Sequence, residues 1–347
     1  MNAAPVKLVH LAVLAACLAL AGSLGRDWER RLALLPYGGD LTREQASSDE
    51  EDGEDAEETQ EYTSRESRNE TGTSQRVYRA GAELKADYHF INFNKDRLNV
   101  SFGMTRKDYG NYLGGYGYTD TDLAKLRIWR DATRQEAWEK TYKESGKAAA
   151  ESAVAGVDMD YDTRLRALLR SKGLAMRPGN VVEPDMPVMI KRNTPLLKPL
   201  ALAFQKVANS RGYSDEDIIG AVLSMVQTAI RYKIPNNLEN GLHTCGILPP
   251  ARALLSGWGD CDTKTGVLAS VLGNWSRMRM VGIAVPGHYL MAIRRLPGKG
   301  DMFVRYEGLE YVLVEPAGPA WLEPGMVGDH TKTLLAGAQG YKVEPFF

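Results

Sequence analysis

The chain has 347 residues, 44% apolar and 25% charged, ordinary proportions for a globular protein and enough length for one or two domains with a hydrophobic core. Its net charge is −1, yet nine of the 44 acidic residues fall between Asp49 and Glu61, where no basic residue occurs; the remaining 35 stand against 43 basic ones, so the rest of the chain carries about +8. That basic charge is spread out, with no Lys/Arg cluster interleaved with aromatics, which argues against nucleic acid as a partner.

Lys7 precedes an apolar run from Leu8 to Leu24. The sequence therefore predicts a signal peptide or membrane anchor over residues 1–25. Ala19-Leu20-Ala21 suits signal-peptidase cleavage, Leu14-Ala15-Ala16-Cys17 suits lipidation of Cys17, and the uncut stretch approaches the length of a membrane span. Each outcome places the folded part outside the cytoplasm: periplasmic, membrane-anchored through its N-terminus, or secreted. Residues 26–76 read as a disordered acidic linker, opened by a short amphipathic helix over residues 26–40. From residue 41 to 76 the segment has too few apolar residues to offset its chain entropy.

Order is expected from Val77. Ile91 and Phe93 alternate before Asn94-Lys95-Asp96, and Leu98, Val100 and Phe102 alternate after it, the pattern of a hairpin. Residues 103–122, rich in Tyr and Gly, read as loop. A long polar helix is expected over 123–152 and a shorter one over 161–172, with Pro178, Pro184 and Pro187 marking a boundary. Residues 77–190 thus form an N-terminal α/β accessory region, a hairpin plus helices, ahead of a domain spanning 191–347.

In that second region, helices are predicted over 196–210 and behind Tyr213–Asp217, where an N-cap signal precedes Ile218, Ile219, Val222, Leu223, Val226 and Ile230. After a loop over 236–250 comes a short helical stretch, a break at Gly257 and Gly259, and a helix opening at Cys261 with Val267, Leu268, Val271 and Leu272 as its buried stripe. The period then changes to two. Val281, Ile283 and Val285 alternate up to Pro286-Gly287; His288, Leu290 and Ala292 share one strand face and Tyr289, Met291 and Ile293 the other. Strands follow over 302–306 and 311–315, and the tail is Gly-rich.

Cys17, Cys245 and Cys261 are the only cysteines. In an oxidising compartment Cys245 and Cys261 could pair. A zinc site from His243, Cys245, Cys261 and His288 is a further alternative, although no two of them have the short spacing of such ligands. Against both stands a nucleophile. In the first turn of a helix, exposed N–H groups and the helix dipole favour a thiolate, and a nearby imidazole favours it further. Cysteine, an imidazole such as His288 and an orienting carboxylate such as Glu315 are the parts thioester chemistry needs, and the Cys261 N–H could donate to an oxyanion. Asp260 and Asp262 read as helix-capping or loop-supporting residues, with Lys264 as a partner for one of them.

Trp258-Gly259-Asp260-Cys261-Asp262, then Pro286-Gly287-His288, then Tyr311-Val312-Leu313-Val314-Glu315-Pro316 resemble the transglutaminase-like superfamily, in particular its bacterial and archaeal branch. The resemblance covers roughly residues 196–324. It implies an α+β, papain-like transglutaminase core, with the catalytic Cys at a helix N-terminus packed on an antiparallel sheet. It matches Cys261 to the nucleophile, His288 to the base and Glu315 to the acid, a position more often Asp in that superfamily. Val226-Gln227 also resembles this branch; Gln227 and Trp258 are assigned as candidate oxyanion or substrate contacts. The expected protein is an exported cysteine peptidase, amidase or acyl transferase acting on peptide or glutamine amides of the cell envelope, with no metal and no organic cofactor. The alternative is a non-catalytic envelope binding or scaffold protein on the same fold.

Overall fold

The computed structural model describes residues 65–68 and 72–346. The expected leader, its short helix and most of the expected linker lie outside them. Within the linker, however, Arg65–Arg68 (β1) and the start of Ser74–Ala80 (β2) are strands. They join Glu83–Ile91 (β3) and Arg97–Thr105 (β4) in an antiparallel sheet of order β1-β2-β3-β4. β2 escapes a hydropathy reading because its start is polar: Gln75, and Thr73 just before the strand, are buried alongside Val77. The predicted hairpin is the β3–β4 pair, its turn beginning at Asn92, whose side chain accepts from the Asp96 N–H at 2.8 Å.

A helix, Arg106–Leu113 (α1), occupies part of the stretch read as loop; Thr105 caps it by accepting from the Asp108 N–H. Asp120–Ser171 (α2) opens with a Thr119/Asp122 capping box and reverses at Gly146, whose φ of 80° lies in the region glycine tolerates. Its arms run antiparallel: Arg134 pairs with Asp158 at 2.7 Å and Arg164 lies over the Trp129 ring. The two helices expected over 123–152 and 161–172 are therefore the arms of one hairpin, with the boundary at a glycine that helical periodicity alone passes over.

A second hairpin, Leu174–Arg177 (β5) with Val181–Pro184 (β6), follows in place of a plain proline boundary. Then come Met186–Leu196 (α3), Lys198–Arg211 (α4) and Asp215–Thr228 (α5). Ser214 and Asp217 form the capping box of α5, as Tyr213–Asp217 predicted. Two-residue strands Arg231–Tyr232 (β7), Leu238–Glu239 (β8) and Leu242–His243 (β9) lead to Pro250–Ser256 (α6), Trp258–Gly259 (β10) and Cys261–Leu272 (α7).

The C-terminal part contributes Met280–Val285 (β11), His288–Arg294 (β12), Phe303–Tyr306 (β13), Leu309–Val314 (β14), Asp329–Ala336 (α8) and Lys342–Pro345 (β15). These strands form an antiparallel sheet of order β13-β14-β12-β11-β15. The molecule is thus mixed α and β, with eight α-helices among the described residues. α7 is the central helix and packs on β12, α3, α5 and α6. Tyr289, Met291, Ile293 and Val314 face it, while Val281, Ile283, Leu290, Ala292 and Leu313 line a second core closed by Val327 and the inner side of α8. The inward residues of β2–β4 share the first core with α3–α7, so the two sequence regions bury their apolar faces together. Among the described residues no helix is long and apolar enough to cross a membrane.

Candidate functional site

β13 intervenes in sequence between His288 and Glu315, but it joins the outer edge of β14 and leaves β14 beside β12. The register pairs Met291 with Val314, so the next residue, Glu315, comes opposite Leu290 and diagonal to His288, on the same face. His288 opens β12 after the Pro286-Gly287 turn, where Gly287 has φ of 68°, as a proline-glycine turn of type II requires. Its Nε2 lies 3.1 Å from both Oε1 and Oε2 of Glu315, leaving Nδ1 as the free ring nitrogen. The two side chains are 12% and 4% exposed.

Glu315 is held from two further directions. The Ala317 N–H donates to Oε1 at 3.3 Å and the Thr331 hydroxyl donates to Oε2 at 2.7 Å. The loop behind it is pinned by Gln227: Nε2 donates to the carbonyls of Glu315 (2.7 Å) and Leu322 (3.0 Å), and Oε1 accepts from the Leu322 N–H (3.0 Å). Both amide hydrogens of the residue assigned as an oxyanion contact are thus donated to the loop that carries Glu315.

Cys261 is the first residue of α7. Asp260 is the N-cap, its Oδ1 accepting from the Thr263 N–H at 3.1 Å. The strand before it, β10, pairs in parallel with β7. Gly259 must be glycine, because a Cβ there would overlap the Thr263 side chain. Trp258 is half-buried, with Lys233 Nζ 4.8 Å from its ring centre. The sulfur lies towards β12 at Tyr289, the residue after His288, whose backbone N–H favours its ionised form. One turn on, the Thr265 hydroxyl donates to the Tyr289 carbonyl at 3.3 Å. α7 therefore docks its first turn on the backbone adjoining the imidazole.

The electrostatics differ from the sequence expectation. Burial, at 7% exposure, pushes the Cys261 thiol up, and the carboxylates of Asp262 and Asp260 push it further; the Tyr289 N–H acts in the opposite sense without prevailing. The resting sulfur is a thiol, 3.4 Å from Asp262 Oδ1. Burial also raises both flanking aspartates, Asp260 raises Asp262 further, and His288 lowers both. Lys264 pairs with neither, because residues two apart project from opposite sides of a helix and the Asp260 carboxylate is turned back to Thr263. It is fully buried, and its Nζ has no hydrogen-bond partner among the described residues; burial lowers it to about 7.

Cys245 and Cys261 are both free, so the alternative disulfide is not formed. Cys245 packs near Leu169, Leu174 and Val182, and burial raises its thiol to about 11. His243 stacks on Tyr118 and pairs with Asp120 at 2.9 Å. Among the described residues no three His, Cys, Asp or Glu side chains are grouped as metal ligands, so the alternative zinc set is not assembled. Thr331 and the Tyr289 backbone escaped sequence reasoning. Thr331 sits in a tail without a motif, and a main-chain donor leaves no signal in residue type. Compared with known proteins, the chain matches no family model, no curated protein and no solved structure.

Proposed function

We propose that the protein is an exported thiol enzyme with a papain-like, transglutaminase-type core that cleaves or transfers acyl groups from peptide or glutamine amides of the cell envelope. The observation that carries this reading is the placing of three groups around one strand end: Glu315 holds the imidazole of His288 through Nε2, and Cys261 opens α7, whose Thr265 docks on the carbonyl of the next residue, Tyr289.

In this mechanism the resting thiol gives its proton to Nδ1 of His288 as the sulfur attacks the amide carbon. Glu315 stabilises the imidazolium, and the N–H of Cys261 donates to the oxyanion. Collapse expels the amine, which takes the proton from His288 and leaves an acyl thioester. Water then attacks, again giving a proton to His288, and release of the carboxylic acid restores the thiol; an amine in place of water gives transfer. No cofactor takes part. The apolar run of residues 8–24 would carry export and tether the chain to the membrane.

Iodoacetamide labelling of Cys261 at pH 7 tests the chemistry. General-base assistance predicts that His288→Ala slows labelling about a hundredfold. Equal rates with and without the imidazole would refute it. A second reading, a binding protein on the same fold, is favoured by one observation: the thiol is buried and held protonated between two carboxylates. That reading requires labelling slower than a free thiol and indifferent to His288.

A further inference from the structure

Glu315 is a buried carboxylate, 3% exposed, with four short contacts: two from a single imidazole nitrogen, one from a main-chain N–H in its own loop, and one from a side chain 16 residues away. The last is Thr331, in the first turn of α8, itself 4% exposed. A carboxylate gripped only by the imidazole it must orient could swing with the ring. The Thr331 hydroxyl and the Ala317 N–H each take one oxygen and fix the carboxylate plane from outside the pair. Thr331 has no competing task in the helix: the N-cap, Gly328, has no side chain, and the hydroxyl is spent on Oε2.

Building on the thioester reading above, we propose that Thr331 is a positioning residue of the site, forming a Cys261–His288–Glu315–Thr331 relay in which the C-terminal helix α8 sets the plane of the Glu315 carboxylate and, through it, the orientation of the His288 ring. The segment 327–336 is then part of the site. Its apolar side, with Val327, Leu334 and Leu335, packs on the sheet face that carries Leu290 and Leu313, so docking of α8 and alignment of the imidazole are one event.

The test uses the full-length chain with Thr331→Val, which keeps shape and removes the hydroxyl, and Thr331→Ser, which restores it. Two readouts are taken. The first is the Nε2–H proton resonance of His288, identified by its loss in His288→Ala; it is expected to exchange with solvent and broaden in the valine variant and to return in the serine variant. The second is the pH profile of Cys261 labelling, expected to drop about tenfold in the valine variant with a displaced profile and to recover within about twofold in the serine variant. A role confined to packing α8 would lower the melting temperature and leave resonance and profile unchanged, which would overturn the proposal. If the valine variant does not fold, Thr331→Ala removes the same hydroxyl with less bulk. If the wild-type protein does not label at all, the thioester reading fails, while the resonance still decides whether Thr331 orients the imidazole.

Discussion

Replacing Lys264 with methionine should stabilise the protein. The side chain is wholly buried in the central helix, its Nζ has no partner among the described residues, and a Cβ added at Gly318 would lie 3.1 Å from that nitrogen. Burial brings its pKa from 10.5 to about 7. A displacement of that size, at 1.36 kcal/mol per unit, sets a ceiling of about 5 kcal/mol on what the amine costs the folded state at neutral pH. Relaxation around the amine reduces this, and swaps of buried ionisable groups for apolar ones of similar volume return about 1–4 kcal/mol. The sign follows from proton counting. Between pH 7 and 10.5 the unfolded chain holds the lysine proton and the folded chain does not, so wild-type stability gains from this group as pH rises and the cost is full below pH 7. Lys264→Met should therefore exceed wild type by about 2–4 kcal/mol at pH 7, with the difference shrinking towards zero near pH 10. Urea denaturation of both proteins at pH 6, 8 and 10 measures it. A methionine variant less stable than wild type, or a difference independent of pH, would show that the amine is compensated in solution and that the argument from burial is wrong.

Two other substitutions probe the neighbourhood of the thiol. Asp262→Asn removes a carboxylate 3.4 Å from Sγ that opposes ionisation of the thiol, so the midpoint of Cys261 labelling should move to lower pH and the rate at pH 7 should rise about three- to tenfold; an unchanged midpoint would remove Asp262 from the account of the resting thiol. Gly282→Ala would drive a Cβ into the Tyr289 hydroxyl and to 2.8 Å from Phe346 Cε1, so it should cost about 1–3 kcal/mol in thermal unfolding and, because α7 docks on the Tyr289 carbonyl through Thr265, also alter the labelling rate.

Much of the C-terminal region was legible because its patterns are local. The period-two runs around Pro286-Gly287 gave β11 and β12, and glycine and aspartate before Cys261 gave the break, the cap and the start of α7. Polar residues in buried positions hid β2, where Thr73 and Gln75 point inward, and glycines hid α1. At the site, the sequence placed Cys261 at the start of a helix and His288 at the start of a strand, and put Glu315 at a strand end that the structure closes one residue earlier, but it could not order the strands, since pairing of β12 with β14 past β13 is a long-range choice. Nor could it anticipate the thiol's environment. Local features, a helix terminus and a neighbouring imidazole, argue for a thiolate; burial and two carboxylates, felt only in the packed structure, argue more strongly for a thiol. The contacts of Thr331 and Gln227 with the Glu315 loop join segments 16 and 88 residues from Glu315, and no spacing rule reaches that far.

The docking of α7 against the start of β12 depends on where β14 stops. The pairing of β12 with β14 runs from Arg294–Tyr311 to Met291–Val314, and two more steps would bring Pro316 opposite Tyr289. Proline has no N–H to offer a ladder, so the strand ends there. The backbone of Tyr289 is thereby free to face α7: its carbonyl accepts from Thr265, and its N–H favours ionisation of Cys261 one helical turn earlier. The same ending turns Glu315 out of the ladder and into reach of His288, three residues back along β12 from Met291. Pro316 therefore serves both sides of the sheet end, vacating the strand edge on which α7 docks and releasing the carboxylate that binds the His288 imidazole. A longer β14 would seal that edge with main-chain hydrogen bonds and leave the first turn of α7 without a seat on β12.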